Sequence, residues 1–177
     1  MSHQDDLTGR PRDEHGNPEP NPLVNLIFQL QHIMMRTGDR MAQPHGLTAS
    51  RWMLLCAIGK AEEPQTIAEV SECILLSPQN VSRMAAAMED EGLIERFSKP
   101  GAGRAVFVRL TEAGQVANER MHTIGERFMA KFLEGFEPAR VETLVSDLGE
   151  LLENMSRIEA ALQADPNALE TNEEAVA

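Results

Sequence analysis

The chain has 177 residues, 42% of them apolar and 25% charged, which suits one globular domain or two small lobes sharing a core. Aromatics make up only 4%, with no Tyr, which argues against nucleic-acid binding by base stacking on aromatic platforms. The formal net charge of −12 is unfavourable for a polyanion binder, but it is unevenly spread. Residues 1–22 hold three net negative charges and residues 165–177 hold four. Over half of the excess therefore sits in two tails, and the local charge of the remainder decides what its surface binds.

Residues 1–20 are polar, charged and rich in Pro and Gly, and read as a disordered arm. They have no apolar core of the kind a signal peptide needs, and no apolar run nears the ~18 residues of a membrane span. A cytoplasmic protein without membrane attachment is expected, with reduced thiols at Cys56 and Cys73.

Asn21-Pro22 reads as a helix start, an N-cap followed by Pro at the first position. Leu23, Leu26, Ile27, Leu30, Ile33 and Met34 then form an apolar stripe, and the helix should end near Gln43-Pro44. Thr48 caps a second helix running to about Lys60. Thr66-Ile67-Ala68-Glu69 fits a capping box and opens a third. Ser77-Pro78 opens a fourth, ending at Gly92 in the left-handed C-terminal position. Leu93–Ser98 and Arg104–Leu110 read as two strands joined by the turn Lys99-Pro100-Gly101-Ala102-Gly103. Thr111 caps a long fifth helix carrying Val116, Met121, Ile124, Phe128, Phe132 and Leu133. In the last helix Val141, Leu144, Leu148, Leu151, Met155, Ile158 and Leu162 step by three and four, the seam of three heptads. Such a seam packs either within its own chain or on another. Residues 165–177 read as an acidic, disordered tail.

The fold class is therefore mainly α with a small β-hairpin. Residues 47–111 form the expected winged helix-turn-helix, and residues 21–46 with 112–164 a helical dimerisation region. Within the two short helices at 66–92, small Ser71 lets the first helix approach the second, and Val81 ten positions later locks the second down. Val70, Ile74, Leu76, Met84 and Met88 supply the inward face. The opposite face presents Gln79, Asn80, Ser82, Arg83 and Ala86, which suits base edges and phosphates in a major groove. The hairpin adds Arg96, Lys99, Arg104 and Arg109 with no acidic residue between Arg96 and Arg109, a positive island fit for phosphates or a minor groove. A winged helix that binds another protein is the alternative.

The stretches "LTASRWMLLCAI" from Leu47, "TIAEVSECILLSPQNVSRM", "EDEGLIER" and "VRLTEAG" resemble the MarR family of transcriptional regulators, with the likeness running over about residues 23–162. The resemblance implies an obligate homodimer in which the first and last two helices interlock. It also implies a pseudo-palindromic double-stranded operator and release by a small aromatic or carboxylate effector, as in a repressor. It places Ser77, Gln79, Asn80, Ser82 and Arg83 on the recognition helix and Arg104 at the wing arginine; Arg96 and Lys99 join the candidate DNA contacts on the charge of the hairpin. Two positions depart from the pattern. The family's wing Asp is replaced in Ala102-Gly103-Arg104, and a late helix Arg is Ala87. For the effector, the candidate lining residues are His32, Arg36, Arg40, Arg51, Trp52, Leu55 and Met121.

Other functions find little support. His32, His45 and His122 lack metal-ligand spacing, so no metal and no cofactor are expected. There is no nucleophile elbow, P-loop, dinucleotide fingerprint or zinc-protease motif, and an enzyme is not expected. Cys56 lies in an apolar run and Cys73 follows Glu72, so packing is the simpler role for both than a redox switch.

Overall fold

The computed structural model describes residues 21–169; the expected arm at 1–20 and most of the acidic tail lie outside them. The chain divides into two compact units, one ending at Arg127 and the other beginning at Phe128.

In the first unit α1 spans Pro22–Ala42, and the Asn21 side chain accepts from the Leu23 N–H at 3.0 Å, as the Asn-Pro start requires. A 3-10 turn at Gln43–His45 follows and ends on Gly46 at φ 74°. The helix α2 spans Ala49–Lys60 with Thr48 as its N-cap. Asp39 on α1 accepts from the Ala49 N–H at 2.8 Å and fastens the two helices together. Gly38 permits the close approach: a Cβ there would lie 2.9 Å from that of Ala49.

After α2 come β1 at Gln65–Thr66, α3 at Ile67–Ile74, α4 at Pro78–Asp90, β2 at Ile94–Phe97 and β3 at Phe107–Leu110. The sheet is antiparallel in the order β1-β3-β2, with Gln65 opposite Val108 and Glu95 opposite Arg109. The sequence suggests two strands, and there are three. A two-residue strand has no alternation to detect, and Thr66 serves both as a strand residue and as the α3 cap. Both hairpin strands are also shorter than their apolar patterns suggest, because Ser98 to Val106 is taken up by the turn.

Leu54, Leu55, Val70, Val81, Ala85, Met88, Ile94, Val108 and Met121 close the core of this unit. Burying a side chain of Leu or Met size contributes about 1.5–3 kcal/mol relative to exposure. The helix α5 spans Glu112–Phe132. Its start is fixed by Thr111, whose hydroxyl accepts from the Gly114 N–H at 3.0 Å and donates to the Gly92 carbonyl at 2.6 Å. Gly114 sits so tightly on the Leu93 carbonyl that a Cβ would collide with it.

In the second unit, the end of α5 stacks Phe128 on Phe132 at 5.7 Å. A turn containing Gly135 at φ 85° leads into α6, Pro138–Ala164. No residue of α6 is buried. Leu144, Leu148, Leu151 and Met155 of the heptad seam are all exposed, as are Val145 and Leu152 beside it. Val141, Ile158 and Leu162 of the same seam are half-buried. On α1 the stripe of Leu23, Leu26, Ile27, Leu30, Ile33 and Met34 is exposed too. Residues 166–169 form a turn.

Candidate nucleic-acid interface

The helix pair at α3 and α4 is built as its sequence demands. The capping box closes fully, with Thr66 and Glu69 exchanging side-chain and backbone hydrogen bonds. Those bonds, first the one from the Thr66 N–H, hold the Glu69 carboxyl below its ordinary range. Ser71 is buried and its hydroxyl donates to the Ala68 carbonyl at 2.8 Å, so its polarity costs nothing in the interface. Val81 opposite it is fully buried. The connection turns through Leu75, which adopts a left-handed φ of 54°.

Ser77 caps α4, its hydroxyl accepting from the Asn80 N–H at 3.4 Å. With Val81, Ala85 and Met88 turned inward, Gln79, Asn80 and Arg83 are exposed and Ser82 is half-buried. The Arg83 guanidinium donates to Asn80 Oδ1 at 2.8 Å. The i,i+3 spacing puts the pair on one face. Arg83 is thereby held as an oriented fork, the form in which Arg reads a guanine edge.

Between α4 and the wing lies a cleft of about 730 Å³. Gln79, Ser82, Arg83, Arg96 and Arg104 line it, together with Thr66, Ile67 and Ala68 at the start of α3, and no acidic side chain does. Five of the eight expected DNA contacts thus meet in one cationic groove. A second cavity of about 500 Å³ next to β3 carries Glu62, Glu63 and Glu119 on its lining, a charge that repels phosphate.

The positive island is smaller than the sequence suggests. Glu89 accepts from the Arg96 side chain at 2.8 Å and from the Arg96 N–H at 2.9 Å. These bonds, the side-chain one first, pull the Glu89 carboxyl below its ordinary value of 4.5. Arg109 pairs with Glu95 across the strands. Arg96 lies in the cleft, but its charge is met by Glu89; Arg109 is neutralised on the sheet. Arg83, Lys99 and Arg104 remain as cations without a carboxylate partner among the described residues. Lys99 lies 4.4 Å from the centre of the Phe107 ring, which itself stacks on Phe97. The wing tip turns through Gly101 at φ 81° and Gly103 at φ 64°, leaving Arg104 exposed. The departure at Ala102-Gly103 therefore does more than remove an Asp: Gly103 takes a left-handed conformation that a residue with a Cβ would occupy under strain.

The seven effector candidates do not gather in a cavity of this kind. Leu55 and Met121 are core residues. Trp52 packs on α5, where a Cβ at Gly125 would touch its ring at 3.0 Å. His32, Arg36 and Arg40 are exposed along α1. Arg51 binds Glu91 at the end of α4, while its Nε is buried without a partner. None of the seven lines either of the two cavities described above.

Among the described residues no helix is long and apolar enough to cross a membrane, and no group of three or more His, Cys, Asp or Glu side chains is placed to hold a metal ion.

Comparison with known proteins agrees with this geometry. The family model for the MarR family matches residues 45–105, from the start of α2 into the wing. An uncharacterized HTH-type transcriptional regulator of Bacillus subtilis (strain 168), YdgJ, is 27% identical over 137 residues, covering 77% of this chain and 83% of that protein. The apo structure of wild-type MarR from E. coli superposes with a TM-score of 0.61 at 26% identity, covering 76% of this chain and 98% of that one. A MarR variant from E. coli complexed with operator DNA superposes with a TM-score of 0.67 at 26% identity, covering 74% and 94%.

Proposed function

We infer that the chain is a MarR-family transcriptional regulator, as the family model over residues 45–105 supports, and that it binds a pseudo-palindromic operator as a homodimer and acts as a repressor. The observation that carries the DNA-binding part is the groove between α4 and the wing, which gathers Gln79, Ser82, Arg83 and Arg104 without one carboxylate on its lining. That a similar E. coli MarR variant is solved complexed with operator DNA supports DNA binding. In this reading Ser77 and the N-terminus of α4 meet a phosphate. Gln79, Asn80, Ser82 and Arg83 face base edges, and Lys99 and Arg104 hold the flanking backbone or minor groove.

The dimer rests on exposed apolar surface. The stripes of α1 and α6 are open in the single chain, and apolar faces of this extent call for a partner. A second copy supplies the two-fold axis that a palindromic operator mirrors.

Release by a small aromatic carboxylate rests on Arg51. Its guanidinium ties α2 to Glu91 at the end of α4 and keeps one buried nitrogen unpaired. A ligand carboxylate that took Arg51 from Glu91 would loosen the recognition helix from α2. Half-buried Trp52 next to it offers a ring to stack on.

The test is a gel shift with the duplex upstream of the gene itself, run at two salt concentrations. A retarded complex at low salt that weakens steeply with added salt supports the reading. Absence of any complex, with folded dimer present, favours a winged helix that binds protein.

A further inference from the structure

Away from the DNA-facing groove, α2 and the end of α3 line an open pocket of about 300 Å³. Its lining contains three sulfur side chains, Met53, Cys56 and Cys73. Met53 and Cys56 stand three residues apart on α2 and so share one face. Cys73 reaches the same space from α3. Cys73 and Met53 are exposed and Cys56 is half-buried, so the pocket is open to a small solute. Neither cysteine is oxidised; both are free thiols.

We propose that Met53, Cys56 and Cys73 form a binding site for one soft, thiophilic monovalent cation of the Cu(I) or Ag(I) class. The donor set selects the class. Thiolate and thioether sulfurs prefer soft metal ions, whereas oxygen and imidazole donors suit harder ones. Structural zinc takes four Cys or His ligands, and the other lining residues, Ala57, Lys60, Ile74 and Leu75, offer none. Two thiols and a thioether satisfy an ion content with two or three sulfurs. Binding therefore releases thiol protons to solvent as the metal–sulfur bonds form, with no change of oxidation state.

The location gives the site a consequence. The helix α2 packs on α3, and α3 packs on α4. An ion bridging Cys56 and Cys73 ties α2 to the last turn of α3, just before the Leu75 turn that sets the angle of α4.

The probe is Ag(I), which does not oxidise thiols, titrated calorimetrically into the reduced full-length protein without DNA. The expected result is one ion per chain. Losing an outer-shell partner commonly costs 10–100-fold in metal affinity. Cys56→Ser and Cys73→Ser should each weaken binding by about 100-fold or more, and Met53→Leu by about tenfold. Thermal melts of each variant confirm that it is folded. Undiminished affinity in Cys56→Ser would mean that exposed Cys73 alone captures silver and would overturn the proposal, as would two independent ions per chain. Since no DNA is present, either failure leaves the operator-binding reading intact.

Discussion

Arg83 is exposed but not free to swing, because Asn80 holds its guanidinium. If that fork reads a guanine, Arg83→Ala weakens operator binding by about 1–3 kcal/mol and relaxes specificity at one position. Competition gel shifts with single-base operator variants check this; equal weakening on every sequence would make Arg83 a phosphate contact. The arginines of the wing should behave differently from one another. Arg104 is exposed and has no carboxylate partner among the described residues, so Arg104→Ala should lower the salt slope of a dimer by about two, one contact per chain. Arg96 is already bound to Glu89, and Arg96→Ala should leave the slope nearly unchanged. The Glu89 pKa is depressed in the folded protein, so its contribution to stability is present above the ordinary carboxylate range and is lost as pH falls through the folded value. Denaturant melts between pH 7 and 3 should show a smaller acid loss in Glu89→Gln than in the parent. The polar face of the recognition helix was legible from the sequence, since helical period alone puts Gln79, Asn80 and Arg83 opposite Val81 and Met88. Its charge balance was not. Glu89 and Glu95 neutralise Arg96 and Arg109 only once the hairpin register is known, and that register depends on the turn.

At the scale of elements, local chemistry set most boundaries. Asn21, Thr48, Thr66 and Ser77 each accept a backbone N–H at the expected helix start. Ser77→Ala should cost about 1 kcal/mol of stability and should weaken DNA binding as well, because the same hydroxyl faces the proposed phosphate. Equal DNA affinity in the folded variant would remove Ser77 from the interface. Gly114→Ala forces a methyl against the Leu93 carbonyl and should destabilise by about 1–3 kcal/mol, as overpacking does; a shift in the urea midpoint at unchanged m-value measures it. The strand β1 was invisible because two residues carry no periodicity, and its pairing partners Val108 and Phe107 lie over forty positions away. The effector candidates follow from likeness rather than from local pattern: Leu55 and Met121 are core, Arg51 and Trp52 are half-buried on α2, and His32, Arg36 and Arg40 are exposed on α1.

For the whole molecule, the heptad arithmetic of α6 was legible, and its seam residues Leu144, Leu148, Leu151 and Met155 are exposed. If a second chain covers it, Leu148→Glu should shift sedimentation from dimer to monomer at micromolar concentration, and an unchanged dimer would place the interface elsewhere. The strongly acidic sequence hides a small cationic groove between α4 and the wing. The decisive measurement is the dependence of operator affinity on salt concentration. Lys99 and Arg104, which have no carboxylate partner among the described residues, give a dimer about four phosphate neutralisations and a log–log slope of about −4. A slope near that value, with tighter binding to the operator than to random duplex, is the predicted result. A folded dimer with no measurable affinity for any duplex at low salt contradicts it.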